Sequence, residues 1–337
     1  MSAVEDKKGT TDVTKDAVLE SASMGLYASQ PKIEHVAVVI PARNRPDLLE
    51  KCLESLACQT LPEGPLEIFV CDDGSSEDLA ALVRTFRSRL PGIRLIRQEP
   101  KGPAAARNMG FRSSPADIFV CIDSDVICAD GFVDKLVKAL RSNADWVAAE
   151  ATVLPAGEQG LFFDAPVNRG GAYGTGASAY RRTALLEAGG LDESFPFPAC
   201  EDAELAARLL RLGRYGYVPD AIVYHPTRRV TWHMQWRSRK YWRYVMILAK
   251  RYGFLAFPGR PAGPLPRLRV ALAAVVTLPA GRFLEAVKHA SDKPREGFIA
   301  CAAALFDVIC GFAALPEILF SSVPKRKNYL DVDKSRI

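Results

Sequence analysis

Short apolar runs alternate with stretches of helical periodicity along the first half of the chain. His35–Ile40, Leu66–Cys71, Ile93–Ile96 and Ile118–Ile122 read as strands, and the last is apolar at every position, as in a strand buried on both faces. Between them, Leu48, Leu49, Cys52, Leu53 and Leu56 recur at helical spacing, with Asp47 placed as an N-cap. The Asp72–Ser76 turn is expected to cap a helix over Leu79–Leu90, and Gly102–Gly110 opens another. Farther on, the pattern predicts a helix over Gly131–Leu140, a strand over Trp146–Glu150 and a long Gly- and aromatic-rich loop over Gly160–Gly176. Ser178–Arg181 reads as a strand running into a helix over Ala184–Ala188, capped by Thr183. An amphipathic helix over Glu201–Leu212 is closed by Gly213, and Tyr215–Val218 and Ala221–Tyr224 are extended. Strand–helix alternation at this spacing predicts an α/β fold with a mainly parallel sheet and helices on both faces.

The strand at Ile118–Ile122 ends in Asp123-Ser124-Asp125. Side chains alternate along a strand, so Asp123 and Asp125 point the same way if the extended geometry continues through Ser124. Ligands of open α/β sheets bind at the carboxyl ends of the strands. Two carboxylates there repel each other unless a cation lies between them. Mg²⁺ or Mn²⁺ takes carboxylate oxygens together with phosphate oxygens, so the pair points to a metal-bridged phosphate site. Taken alone, an acidic turn after a core strand is the commoner meaning of this pattern.

The chain has 337 residues, 48% of them hydrophobic and 25% charged, with a net charge of +5, which suits a globular protein with a substantial core. Its 8 cysteines show no Cys-x-x-Cys pair and no zinc spacing, and a reducing compartment is expected. Met1–Glu20 is polar, without the apolar core of a signal peptide. The basic excess gathers between Arg228 and Arg251, where Trp and Tyr interleave with Arg and Lys. No nucleic-acid motif accompanies it, so nucleic acid is not expected as a partner. It reads either as a helix packed on the preceding domain or as one lying on an anionic membrane surface. The apolar segments Leu268–Leu278 and Phe298–Phe320 favour the membrane. Asp307 within the second is costly in lipid and favours a buried helical pair instead.

Several pieces then fall in a fixed order: Val38–Arg45 (Val-Val-Ile-Pro-Ala-Arg-Asn-Arg), Val70–Ser75 (Val-Cys-Asp-Asp-Gly-Ser), Gly102–Gly110, Cys121–Asp125, Tyr180–Phe195 and Glu201–Leu209. Each is ordinary alone. Together they resemble the family 2 glycosyltransferases, an inverting family with the Rossmann-like GT-A fold, over about residues 35–230. The resemblance implies a nucleotide-sugar donor, with UDP expected, and a divalent ion, Mn²⁺ or Mg²⁺, on the donor diphosphate.

The resemblance also implies roles. Asp73 would accept a hydrogen bond from the base, while Pro41, Ala42 and Arg43 line base and ribose. Arg107 would steady Asp73 or Asp123. Asp125 would ligate the metal, and Asp123, with Ser124 beside it, would hold the ribose or the metal's shell. Gly174, Thr175 and Gly176 would lie near the transferred sugar. Asp202 would be the general base, kept ionised by its helix N-terminus, with Glu201 positioning it or binding the acceptor. His225 is either a further metal ligand or a structural hydrogen-bonded histidine. Processive synthases of the family carry Gln-x-x-Arg-Trp, which Gln235-Trp-Arg-Ser-Arg does not match, so non-processive transfer is expected.

The expected organisation is a disordered tail (1–31), a catalytic domain (32–230), a basic aromatic helix (231–257) and an apolar helical region (258–337). The expected acceptor is a glycan, lipid or lipid-linked hydroxyl of the cell envelope, met at the cytoplasmic face of a membrane. A nucleotidyltransferase of similar fold is the first alternative, but Pro41–Arg45 lacks the Gly-rich loop such enzymes place there. A non-catalytic glycan-binding scaffold is the second.

Overall fold

The computed structural model describes residues 35–160, 162–253, 265–290, 294–320 and 322–330. The expected N-terminal tail over 1–31 lies outside them, as does most of the Pro- and Gly-rich stretch before Pro266. The core is an eight-stranded sheet in the order β3-β2-β1-β4-β8-β6-β9-β5. Its strands are β1 (Val36–Ala42), β2 (Leu66–Asp73), β3 (Ile93–Gln98), β4 (Ile118–Ile122), β5 (Ile127–Cys128), β6 (Trp146–Ala156), β8 (Ala177–Arg181) and β9 (Arg214–Pro226). β3, β2, β1 and β4 run parallel, as the alternation predicts. β8 then enters antiparallel between β4 and β6. A separate two-stranded ribbon pairs β7 (Phe163–Asp164) with β10 (Arg228–Arg229).

Period-two alternation sends each central strand's side chains to two cores. Val36, Val38 and Ile40 pack with Leu49 and Leu53 of α1 (Pro46–Ala57), Val83 of α2 (Leu79–Thr85) and Leu136 of α4 (Phe132–Ser142). Ala37, Val39 and Phe119 face the other way, onto Phe111 of α3 (Pro103–Arg112), Leu185 of α5 (Arg182–Ala188) and Leu205 of α6 (Glu201–Leu209). α3 lies close on the sheet: a Cβ on Gly110 would sit 2.6 Å from Val39 Cγ1 and 3.0 Å from Cys71 Sγ, so this contact needs glycine.

Several local expectations are corrected. α1 begins two residues earlier than expected, at Pro46, behind a left-handed Arg45 (φ 53°), and Asp47 lies in its first turn, where it complements the dipole. Asp78 rather than the Asp72–Ser76 turn caps α2, its carboxylate accepting from Ala81 N at 3.0 Å. α2 stops at Thr85. α5 starts at Arg182 with no side-chain cap, so Thr183 lies inside it. The two expected extended pieces form one strand, β9, whose pairing with β6 slips between Ala151 and Thr152.

Beyond the ribbon come α7 (Trp232–Ser238), a short 3₁₀ turn (Arg239–Tyr241) and α8 (Trp242–Tyr252). α9 (Pro266–Leu272) runs through a π-helical turn (Ala273–Thr277) into α10 (Leu278–Ala290), and α11 (Pro294–Phe320) returns antiparallel beside them. Arg282 meets Asp307 at 2.7 Å across this pair, which answers the cost of a lone carboxylate there. The apolar stretches Pro266–Lys288 and Arg295–Phe320 have mean hydropathies of 1.6 and 2.3 and are only 22% and 28% buried. The helices therefore are not a pair buried beneath the sheet domain; Phe298, Leu305, Ile309 and Phe312 face outward.

The chain then comes back to the sheet. Leu330 is buried in the second core, and Tyr329 N donates to Gly189 O at 3.0 Å. Beside this return, Arg251 of α8 donates to Asp192 Oδ2 and to Pro324 O, both at 2.6 Å, and lies 3.7 Å from Glu204 of α6. Burial pushes the Asp192 carboxyl up, but hydrogen bonds from Arg251 and Ser194 outweigh it and hold the group below its ordinary value. Its contribution is therefore complete above the unfolded carboxylate pKa and lost as pH falls through the lowered folded value. Arg251→Ala, which leaves the fully buried Asp192 without this partner, should cost about 3–5 kcal/mol. Urea unfolding followed by tryptophan fluorescence measures it, and the difference from wild type should shrink in acid.

Candidate active site

The site forms at the carboxyl ends of β1, β2 and β4. β4 stops at Ile122, and Asp123–Asp125 form a turn in which Val126 N bonds back to Asp123 O at 3.3 Å. The extended geometry expected through Ser124 is therefore absent. The turn, not strand alternation, brings the two carboxylates together. His225, near the end of β9, completes the group: one ligand atom each from Asp123, Asp125 and His225 lie within 4.8 Å of one another.

Whether this group fits a divalent ion can be read from His225. Its Nδ1 lies 2.9 Å from Pro226 O, a group that can only accept, so the proton sits on Nδ1. Nε2 then turns its lone pair toward Asp125 Oδ1, 3.5 Å away. Two electron pairs facing each other in a buried corner call for a cation between them. Two carboxylates and an imidazole suit Mn²⁺ or Mg²⁺ in hardness and charge, and the Pro226 carbonyl orients the ring. Arg45 Nη1 (3.3 Å) and the Arg228 guanidinium hold the other oxygen, Asp125 Oδ2.

Asp123 has a second set of partners. Its Oδ1 accepts from Arg107 Nη2 at 2.6 Å, and its backbone N donates to Gly176 O at 3.0 Å. A Cβ on Gly176 would fall 2.2 Å from Asp123 Oδ2, so only glycine leaves room for this carboxylate. Of the neighbouring loop residues, Thr175 is buried and Gly174 O accepts from Ser178 Oγ at 2.7 Å, which ties the approach to β8.

Arg107 is the hub. It is 4% exposed, and its Nη1 lies 3.8 Å from Glu201 Oε1. Nε and Nη1 are buried without a hydrogen-bond acceptor among the described residues. Glu201 and Asp202 open α6 behind a left-handed Cys200 (φ 68°), and Asp202 Oδ1 accepts from Ala203 N at 2.7 Å. The expectation that the helix N-terminus lowers the Asp202 pKa is corrected. Burial pushes Asp202 up more than its bond to Ala203 N and the charge of Arg107 pull it down. Glu201 rises as well, to about 8, through burial and the Asp202 charge beside it.

Asp73 is held apart from this acidic group. Gln98 Nε2 (2.9 Å) and Lys101 N (2.8 Å) bond its Oδ1, and Gly102 N (2.9 Å) its Oδ2. Arg43 Nη1 stands 3.9 Å away on the outer side, next to Pro41 and Ala42 at the end of β1. Arg107 does not touch Asp73; its partners are Asp123 and Glu201. The strand-end neighbour Asp72 is structural, closing the turn from Ser75 N (2.8 Å) and pairing with Arg97 (2.9 Å). α3 links the two parts, since it starts at the Gly102 that binds Asp73 and carries Arg107.

Sequence reasoning passed over Arg45 and Arg228, the two cations on Asp125. It also passed over Glu150, a buried acid near the middle of β6. Glu150 accepts from Asn168 Nδ2 (2.9 Å), Gly171 N (2.5 Å) and Tyr173 N (2.7 Å), and so fixes the loop that ends at Gly176. The only signal for Glu150 was an acid following an apolar run, the pattern that marked Asp123.

A model of the family described as Glycosyl transferase family 2 matches residues 37–159. The chain is 28% identical over 244 residues to the probable glycosyltransferase YdaM of Bacillus subtilis (strain 168), covering 64% of this chain and 57% of that protein's length. It is 36% identical over 106 residues to the validoxylamine A glucosyltransferase of Streptomyces hygroscopicus subsp. limoneus, covering 31% of this chain and 23% of that protein. Among solved structures it is similar to the mannosyltransferase PcManGT from Pyrobaculum calidifontis in complex with GDP-Man and Mn²⁺, with a TM-score of 0.55 and 19% identity over 91% of this chain and 98% of that one. It is also similar to S. aureus TarS 1-349 in complex with UDP-GlcNAc, with a TM-score of 0.50 and 17% identity over 82% and 81% of the two chains. These likenesses give the fold as GT-A, and the matching family model makes residues 37–159 a family 2 glycosyltransferase domain, in a chain that spans little more than half the length of its Bacillus subtilis relative.

Proposed function

We propose that this protein is a metal-dependent, inverting glycosyltransferase. It moves one sugar from a nucleoside-diphosphate donor to a hydroxyl of a lipid or lipid-linked acceptor at a membrane surface, on the cytoplasmic side. The observation that carries the reading is the meeting of a three-ligand cation corner with a desolvated acid pair through one buried guanidinium. The catalytic unit is assigned to 32–230, with the basic aromatic helix (231–257) and the apolar helices (258–337) serving the membrane.

Inversion needs one direct displacement at the anomeric carbon. The acceptor oxygen forms its bond to that carbon as the bond to the donor phosphate breaks, and the acceptor proton passes to Asp202. Desolvation makes Asp202 a stronger base than a solvated aspartate. Arg107 lies beside the acid pair and Asp123, and its buried guanidinium holds the base and the strand-end aspartate in a fixed relation to each other. Asp123, Asp125 and His225 would hold Mn²⁺ or Mg²⁺, which supplies neutralising charge to the departing diphosphate. Asp73 remains able to accept an N–H from a uracil or guanine ring on the free side of Oδ2, with Pro41, Ala42 and Arg43 beside the base. The solved relatives in complex with UDP-GlcNAc and GDP-Man support a nucleotide sugar as donor. UDP is our assignment.

Nucleotide release from a screen of donors should need Mn²⁺ or Mg²⁺ and stop in chelator; full activity in chelator removes the metal assignment. Asp125→Ala and Asp202→Asn should each lower turnover by about 10²–10⁴-fold. A non-catalytic scaffold would lose nothing.

The raised pKa values set a pH dependence. The base works only when ionised, so kcat/KM should fall as pH drops below a limb lying above the ordinary carboxylate range, about 3.9–4.3. Glu201→Gln removes a negative neighbour, and the limb should move to lower pH in a profile of kcat/KM.

Gly176→Ala should push the Asp123 carboxylate out of its place and weaken Mn²⁺ binding by about 10–100-fold, the range seen when groups that orient ligands are disturbed. Calorimetric titration with the metal measures it, and unchanged affinity would remove Asp123 from the ligand group.

A further inference from the structure

A cavity of about 830 Å³ lies between the β7–β10 ribbon and the apolar helices α10 and α11. It belongs to neither the cation corner nor the acid pair. Its size falls in the range of small-molecule sites, about 300–1,000 Å³. One wall is the catalytic ribbon and the start of α7, with Phe162, Arg229 and Trp232. The other is the small-residue face Ala300, Ala303 and Ala304 of α11. The charged lining balances: Arg229, Arg282 and Lys288 face Asp164, Glu285 and Asp307. With Asp307 already paired to Arg282, the lining offers no net positive charge to hold an anionic headgroup such as a phosphate. Hydrogen-bonding groups of both signs beside aromatic rings instead suit a sugar ring, with its many hydroxyls and its apolar face.

The helices on the far side are 23 and 26 residues of apolar sequence, exposed over most of their length. A ligand between them and the ribbon meets hydrocarbon-compatible surface at one end and the polar ribbon at the other. The ribbon also joins the cavity to the cation corner. Side chains of adjacent strand residues point to opposite faces. Arg228 accordingly reaches Asp125, while Arg229 lines the cavity. Arg229 lies four positions beyond His225, at most about 13 Å of extended chain.

We propose that this cavity binds the acceptor, and that the acceptor is an amphiphile with an uncharged, polyhydroxyl sugar headgroup, a glycolipid rather than a lipid phosphate. The proposal rests on the sugar-transfer reading above and narrows it to an acceptor class and a place.

The test uses the full chain with phosphatidylcholine vesicles that carry a diazirine-bearing monoglycosyl diacylglycerol. Photolysis and peptide mapping should place adducts on 229–235 and 299–304. The same diazirine on a polyprenyl phosphate should label those peptides at least about tenfold less, since the cavity has no net positive charge to offset the desolvation of its phosphate. Ala303→Trp fills the cavity and should suppress labelling by about tenfold or more. Glu285→Gln, which keeps the volume, should reduce it several-fold through a lost acceptor. Nucleotide binding, followed by calorimetry with UDP and GDP, should stay unchanged in both variants. Labelling elsewhere, equal labelling by the polyprenyl phosphate, or full labelling of Ala303→Trp each overturns the proposal. Loss of nucleotide binding in the wild-type chain would overturn the donor reading instead, and glycolipid labelling alone decides the cavity.

Discussion

The buried Arg107 guanidinium is the constraint on which the site depends. Asp123 comes from the end of β4 and Glu201–Asp202 from the start of α6, about eighty positions apart. Gathered around one guanidinium, the buried Glu201 and the half-buried Asp123 and Asp202 would otherwise repel one another. A fixed cation among them makes the arrangement affordable without a ligand. Arg107 can serve because α3 is anchored at both ends. Its N-terminus is pinned where Gly102 N donates to Asp73, and its C-terminal half is pressed onto β1 and β2 at Gly110. Asn108, next along the helix, reaches Leu191 N and O at 2.9 Å and so positions the segment that leads into α6. One short helix thus sets Asp73, the strand-end aspartate and the acid pair in a common frame.

The cation corner follows a different logic. Arg107 takes one side of the Asp123–Asp125 turn, while Arg45 and Arg228 hold Asp125 from outside. Both outer arginines are about half exposed, at 51% and 47%, against 5% for Arg107. The inner guanidinium is therefore structural, whereas the outer two can swing away into solvent when a divalent ion takes Asp125. On the metal-dependent reading proposed above, they would then be free to meet the oxygens of a donor diphosphate. His225 cannot make such an exchange, because its Nδ1 bond to the Pro226 carbonyl fixes the ring.

Much of the scaffold was legible in the sequence. Ile118–Ile122 and Val36–Ile40 are apolar at successive positions because both faces are covered, and short strand–helix spacing dictates parallel neighbours. β8 was legible as a strand but not as an antiparallel one, since direction is set by partners and not by local pattern. The acidic residues were visible as strand ends and a helix start. Their environment was not: the helix-dipole argument for Asp202 had the sign wrong, because position along a helix says nothing of the depth at which its first turn is buried. Arg45 and Arg228 were hidden for a similar reason. They reach Asp125 across gaps of 80 and 103 positions, and no local pattern records such a meeting. Glu150 looked like the end of a strand, and only the fold shows β6 continuing past it to carry the loop beside Asp123.

The C-terminal helices extend the same frame. α8 precedes them, and its Arg251 bonds Asp192 and stands near Glu204. The return segment follows them. There the Arg326 guanidinium reaches Ala188 O, Leu330 enters the core, and Tyr329 O accepts from Arg112 of α3 at 2.9 Å. The two attachments lie on one patch behind α6, so the apolar pair is held at both of its ends rather than hung from a single strand of chain. The segments on either side of the pair are thus fastened to the sheet domain by the Asp192–Arg251 contact and by Leu330. On the membrane reading, the bilayer plane is therefore set relative to the cleft by buried contacts at the foot of the catalytic fold. An acceptor confined to that plane would then always present its headgroup to the same side of the β7–β10 ribbon.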